Sequence, residues 1–195
     1  PYTTLFRSGY TIGMVDSAFV TNPGLLKDKL PYDTRKDFVP VSLLSRTQLV
    51  LCVHPSSPFK TAKELVDHAK ANPGKLTFAS AGIGTGIHLA GEQFRQVAGI
   101  DIVIIPYRGG APLLQDLLGG QIEVTFGQAA NYLNAVRAGQ LKPYAVLSNQ
   151  RWWAAPNVPT MDESGVPGLY SSFWHGLWAP KGTPPDVLAK LNKAV

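Results

Sequence analysis

From Lys60 onward the apolar positions switch repeatedly between a helical period and a strand-like one, with short connections, and this is the pattern of a parallel α/β layer. Thr61 with Glu64 reads as a capping box, Leu65, Val66 and Ala69 form the buried stripe behind it, and Asn72, Pro73 and Gly74 stop the helix. The run KLTFASA predicts a strand. After a glycine-rich turn a helix follows with Leu89, Ala90, Phe94 and Val97 turned inward and Gly99 closing it. DIVIIPY is a continuous apolar run and predicts a strand covered on both faces. Arg108, Gly109 and Gly110 make a second turn into the helix APLLQDLL, which Gly119 and Gly120 end. Strand QIEVTFG, helix AANYLNAVRAG and strand LKPYAVLS complete four strands alternating with three helices. Right-handed crossovers place the turns after these strands along one sheet edge, where open α/β sheets bind ligands. The runs DFVPVSLLS and SSFWHGLWAP are Pro-punctuated and extended, and read as connections to a second lobe; residues 149–167 read as a polar surface loop.

Composition narrows the class. The chain has 195 residues, 45% hydrophobic and 16% charged, enough for a sizeable core in one domain or two small lobes. The net charge of +5 is scattered rather than gathered into a stripe, which does not point to nucleic acid. No run reaches the roughly 18 apolar residues that span a bilayer. The one cysteine, Cys52, sits in the strand-like LVLCV, with no partner for an internal disulfide and no base beside it. Residues 1–8, PYTTLFRS, read as a non-native leader and carry no fold argument, and the helix at the end lacks a stop signal, so the chain reads as a fragment.

The chemistry concentrates in residues 75–92, KLTFASAGIGTGIHLAGE. Gly82, Gly84 and Gly86 let the backbone turn its N–H groups toward an oxyanion at a helix start. The spacing G-x-G-x-G departs from the dinucleotide fingerprint, and the next strand ends at Tyr107 and Arg108 rather than at an acid, so only NADP would suit it. A carboxylate, with hydroxyls from Ser80 and Thr85, is the competing occupant, and a turn built only for tight packing is the bland one. His88 and Glu92 could form one edge of a metal site, or His88 a local hydrogen bond. Arg108 reads as a carboxylate clamp or a solvated side chain. Gln128 and Asn131 read as amide ligands or as helix caps. Trp152 and Trp153 suggest a local cluster, and Trp174 a wall of a cleft.

Several segments in order carry a resemblance. Residues 36–94, the run IPYRGGAPLLQDLLGGQIEVTF, PNVPTMDESGVPG and WHGLWAPKGTP closely resemble the solute receptors of tripartite tricarboxylate transporters, the Bug family. The resemblance implies a type II periplasmic-binding-protein fold: two α/β lobes with mostly parallel sheets, joined by crossing hinge strands and closing on a ligand. It places residues 9–51 with 173–195 in domain 1 and residues 52–172 in domain 2. It implies no catalysis, cofactor or metal, a periplasmic monomer whose signal peptide is lost in the truncation, and membrane permease subunits as partners. The ligand, a mono- or dicarboxylate, would be held by Ser80, Ala81, Gly82, Thr85, Gly86 and His88 in the first turn and by Tyr107, Gly109 and Gly110 in the second, with Gln128 beyond them. Asp16 and Ser17 would come from the other lobe. Many members carry Asp and Asn where this chain has Gly127 and Gln128, which would suit a ligand lacking an amine. An α/β enzyme binding NADP or phosphate at the Gly82–Gly86 turn is the alternative.

Overall fold

A computed structural model describes residues 12–26 and 29–195. The leader expected over residues 1–8 therefore lies outside the described residues. The elements run β1 (Gly13–Asp16), α1 (Ala18–Leu26), α2 (Thr34–Asp37), β2 (Phe38–Val53), α3 (Ala62–Ala71), β3 (Thr77–Ser80), α4 (Gly86–Ala98), β4 (Val103–Pro106), α5 (Gly110–Leu118), β5 (Val124–Gln128), α6 (Ala129–Arg137), β6 (Lys142–Val146), β7 (Ser172–Pro180) and α7 (Pro185–Lys193). The chain divides into two compact units, residues 47–173 and residues 1–46 with 174–195. Both divisions fall inside a strand, β2 and β7.

The larger unit is the alternating α/β layer. Its strands lie in the order β2-β5-β3-β4, with β6 on β2. β3 pairs in parallel with both β4 and β5, whereas β2 runs antiparallel to β5 and to β6. Helices cover both faces because the inner strands β2, β3 and β5 bury both. Leu49, Leu51, Phe78, Val124 and Phe126 face α3 and α4, which contribute Leu65, Ala69, Ile87, Ala90 and Phe94. Val50, Cys52 and Ala79 face Leu113 and Leu117 of α5 and Tyr132 of α6. Burial raises the Cys52 thiol far above its ordinary pKa, so it is an inert core residue.

Local signals fix the helix ends. The Thr61 hydroxyl accepts from the Glu64 N–H at 3.1 Å, and the Glu64 carboxylate accepts from the Lys60 N–H at 2.8 Å, one residue before the position of an ideal box. Gly99 ends α4 at φ 62°. α4 itself is rotated from its expected setting. Its buried face is Ile87, Ala90, Gly91, Phe94 and Ala98, while Val97, expected inward, is 42% exposed and Leu89 half-buried. Leu89 and Val97 are the more hydrophobic residues, but glycine and alanine turn inward because they let the helix approach the sheet. The strand DIVIIPY is shorter and more exposed than its apolar run predicts. β4 is the edge strand, so Val103 and Ile105 remain 47% and 43% exposed. QIEVTFG also starts late, at Val124.

Residues 149–167 form more than a surface loop. Trp152, Val158, Met161 and Val166 are buried, and Val146 bridges Thr160, so the segment closes the core beyond β6. Of its two tryptophans, Trp153 stays outside, 88% exposed. Glu163 ties the segment: it accepts from the Arg151 Nε at 3.0 Å and from the Thr160 N–H at 2.7 Å, and the Arg151 bond, followed by the Thr160 bond, holds its carboxyl below the ordinary value of 4.5.

The smaller unit has a three-stranded order β1-β7-β2, with β1 antiparallel to β7. Val41, Leu177 and Ala179 form its core, packed by Leu188 and Leu191 of α7. Phe19, Tyr32, Phe38 and Trp178 form an aromatic cluster with ring centroids 5.1 to 5.8 Å apart. The pattern had not shown α1, which carries Pro23 and buries no residue.

Phe126 stacks edge-to-face on Phe78 and Phe94, with centroids 5.0 and 5.5 Å away. Phe126→Ala is expected to cost about 3–5 kcal/mol, read as a lower urea midpoint. Because a depressed carboxyl stabilises above its unfolded pKa and loses that effect as pH falls through the folded one, Glu163→Gln should lower Tm at pH 7. The Tm gap to the parent chain should close as pH drops below the ordinary value of 4.5, in scans across the acid range.

Candidate functional site: the C-terminal edge of the larger sheet

Strand direction decides where the turns meet. β3, β4 and β5 are parallel, and β6 shares their direction because β5 and β6 both oppose β2. Their C-terminal ends therefore lie along one edge. α4, α5 and α6 begin there, each presenting the N–H groups of its first turn and the positive end of its dipole.

The first two turns are bonded to each other. The Tyr107 N–H donates to the Ser80 carbonyl at 2.8 Å, and the Gly109 N–H to the Ala81 carbonyl at 3.0 Å. Gly82 has φ 131°, and a Cβ there would stand 3.3 Å from the Tyr107 carbonyl oxygen, so conformation and contact both require glycine. Thr85 closes the first turn from within. Its hydroxyl donates to the Gly82 carbonyl at 2.7 Å and accepts from the His88 N–H at 3.3 Å, which makes Thr85 the N-cap of α4, with Gly86 as the first helical residue.

Two side-chain atoms in this turn are buried and make no hydrogen bond among the described residues: the Ser80 Oγ, on a fully buried residue, and the His88 Nδ1. Such buried polar atoms cost free energy unless a partner satisfies them. Tyr107 is committed elsewhere. Its hydroxyl donates to Asp116 of α5 at 2.8 Å, and that bond raises its pKa. Arg108 is exposed, beside Gly109 and Gly110 at the start of α5. Glu92 pairs with Arg95 at 3.0 Å.

Gln128 ends β5 and occupies the N-cap position of α6 without a side-chain cap bond; its Oε1 is 3.5 Å from the Asn131 amide. Gly127, before it, has a packing reason. A Cβ there would fall 2.2 Å from the Tyr132 ring, which is buried against the sheet. Residues 80–88, 107–110 and 127–131 contain no Asp or Glu. The nearest acids are already engaged, Asp116 by the Tyr107 hydroxyl and Glu92 by Arg95, while Glu123 at the opposite end of β5 accepts from the Thr77 N–H and hydroxyl at 2.9 and 2.7 Å. The turns thus carry helix dipoles and Arg108 and no carboxylate of their own.

Asp16 and Ser17 belong to the smaller unit. Asp16 Oδ1 accepts from the Ala18 N–H at 2.7 Å, and Ser17 Oγ is buried with no hydrogen bond among the described residues. The smaller unit also has a hollow of about 940 Å³ bordered by Tyr32, Arg35, Phe38 and Trp178, which the sequence pattern did not signal. Two further edge residues were missed in the larger unit, Gln48 and Ser148, because each is an unremarkable polar residue beside an apolar run. Among the described residues no group of three His, Cys, Asp or Glu side chains is placed to hold a metal ion, and no helix is long and apolar enough to cross a membrane.

An α/β sheet with three helix N-termini at one edge and glycine turns bonded together there is an arrangement whose free N–H groups and dipoles suit an anion. The chain belongs to the tripartite tricarboxylate transporter family receptors, whose model matches residues 6–195. It is 36% identical over 188 residues to Protein BugT of Bordetella pertussis, covering 96% of this chain and 58% of that one. It is equally 36% identical over 188 residues to a UPF0065 protein in the tcbD-tcbE intergenic region of Pseudomonas sp. strain P51, covering 96% and 56%. The chain thus spans little more than half the length of these curated relatives. Among solved structures, the periplasmic binding protein BugD superposes with a TM-score of 0.89 at 37% identity, over 98% of this chain and 64% of its own. R. palustris Rpa4515 with adipate gives 0.91 at 31% identity, over 98% and 64%. MatC from Rhodopseudomonas palustris with bound malate gives 0.89 at 31% identity, over 98% and 65%. These likenesses establish the periplasmic-binding-protein fold and the receptor family.

Gly82→Ala should distort the first turn and cost about 1–3 kcal/mol, because alanine must take a glycine conformation against the Tyr107 carbonyl. Thermal unfolding together with amide exchange at Tyr107 and Gly109, whose N–H groups tie the turns, is the check; unchanged protection there would contradict it.

Proposed function

We propose that this chain is the ligand-capturing part of a periplasmic solute receptor, which takes a small organic carboxylate and delivers it to a tripartite tricarboxylate-type membrane permease. The observation that carries the reading is the pair of bonded glycine turns with the orphaned Ser80 Oγ and His88 Nδ1 beneath them. A carboxylate is matched to this arrangement: it accepts from main-chain N–H groups and the serine hydroxyl, and from His88 when Nδ1 carries a proton. In this reading Ser80, Ala81, Gly82, Thr85, Gly86 and His88 form the first contact set and Tyr107, Gly109 and Gly110 the second. Thr85 acts by fixing the turn, and Tyr107 through its backbone, since their hydroxyls are already bonded within the protein.

The ligand is an acid without an ammonium group. The turns offer an ammonium no carboxylate, and Tyr132 fills the space that a side chain at position 127 would need. Adipate and malate, held by two of the related structures, are both acids of this kind. Nothing in the arrangement calls for catalysis. The receptor acts by binding, and the permease distinguishes liganded from empty receptor only as far as the ligand favours one conformation.

Thermal-shift measurements on the chain with mono-, di- and tricarboxylates, aromatic acids, amino acids, NADP and phosphate test this. A matching acid at about 100 times its Kd should stabilise by about 2.7 kcal/mol, a Tm rise of roughly 5 to 10 °C. Aspartate and glutamate should shift Tm less than succinate and glutarate. A response to NADP or phosphate alone would replace the receptor reading with the enzyme one.

A further inference from the structure

The edge that gathers the strand ends also receives β2, since β2 runs opposite to β5 and β6. Gln48 stands where β2 enters the unit, next to Leu49, which faces Gln128 across the β2–β5 pair. Beyond β6 the chain continues into Ser148, and the Leu147 N–H donates to the Leu49 carbonyl at 2.9 Å, so Ser148 is beside Gln48 as well.

The Gln48 side chain is clamped through one end. Its Nε2 donates to the Ser148 Oγ at 3.0 Å and to the Gln150 carbonyl at 3.3 Å. A carbonyl only accepts, so the amide nitrogen must face Gln150, and the orientation of the group follows from chemistry. The other end, Oε1, is buried and makes no hydrogen bond among the described residues. It is an acceptor at the ligand-binding edge, two strands across and about three residues further along the sheet from the orphaned Ser80 of β3, and so about 14 Å from it.

An amide oxygen repels a carboxylate and wants a donor. An ammonium would donate, but the turns at this edge supply it no counter-charge. A hydroxyl donates without one. Resting on the carboxylate reading above, we propose that Gln48 is a specificity-determining ligand contact whose Oε1 accepts from a ligand hydroxyl, so that the receptor selects hydroxylated carboxylic acids over their deoxy parents. Ser148 is then a positioning residue. It holds the Gln48 amide with its oxygen turned to the ligand.

Isothermal titration of the chain with three pairs, succinate and malate, glutarate and 2-hydroxyglutarate, adipate and 2-hydroxyadipate, tests this without a variant. In whichever pair binds tightest, the hydroxy acid should bind about threefold to tenfold more tightly than its parent, the range of one net neutral hydrogen bond. Gln48→Met, near in size but without an amide, should remove that ratio. Gln48→Asn, which keeps the amide but falls one methylene short, should do the same and serves if the first variant fails to fold. Equal binding within every pair, or a ratio unchanged in both variants, overturns the assignment while leaving the carboxylate reading intact. Weakening of both members of a pair by one factor shows a purely structural Gln48 and overturns it too. Failure of all six acids to bind overturns it, and failure of the wider acid panel as well overturns the receptor reading itself.

Discussion

The burial of β2 between its two antiparallel neighbours is the constraint on which the rest of the larger unit depends. Leu49, Leu51 and Val53 on one face and Val50 and Cys52 on the other are fully buried, so the strand is fixed by both helix layers and by β5 and β6 at once. A slip of one residue would exchange the two faces, placing small Cys52 and Val50 among the phenylalanines and the leucines against α5 and α6. With β2 held, β5 and β6 must point the same way, and β3 and β4 follow β5. The shared C-terminal edge, the convergence of three helix N-termini and the approach of Gln48 to Gln128 are consequences of that one register.

On this scaffold the binding edge is made by removing side chains as much as by supplying them. Position 82 is bare because the chain turns back at positive φ beneath the Tyr107 carbonyl; position 127 is bare because Tyr132 lies across it. The hydroxyls and amides that remain are mostly engaged: Thr85 within its turn, Tyr107 with Asp116, Gln48 through its nitrogen. What stands out is the small number of atoms left over, Ser80 Oγ, His88 Nδ1 and Gln48 Oε1 in this unit. In a protein interior such atoms are costly, and their gathering at one sheet edge gives the edge its chemical character.

Much of this was legible before any coordinates. The capping residue Thr61, the stop at Gly99 and the order of helices and strands between residues 60 and 148 follow from local chemistry, and the glycine turn at residues 82–86 pointed to an anion. The misreadings share a cause. Val97 and the strand through Val103 and Ile105 are apolar by composition, yet they lie outside because burial depends on what packs against a position. Ala90, Gly91 and Ala98 are small, and their smallness is what lets α4 sit against the sheet. Trp152 and Met161 sit among proline and polar residues that suggest a surface loop, and they are core because that loop folds back over β6.

The alternation of elements, the helix caps and the glycine turns could be read along the chain, because each is set by residues within a few positions of one another. The sequence also carries the family, through motifs in a fixed order. Folding settles which strand lies at the edge, which face of α4 is inward, that Tyr132 excludes a side chain from position 127, and that Gln48 meets Ser148, 100 residues away. Those facts depend on strand order and on the direction of β2, and contacts between segments so far apart leave no periodicity in either one.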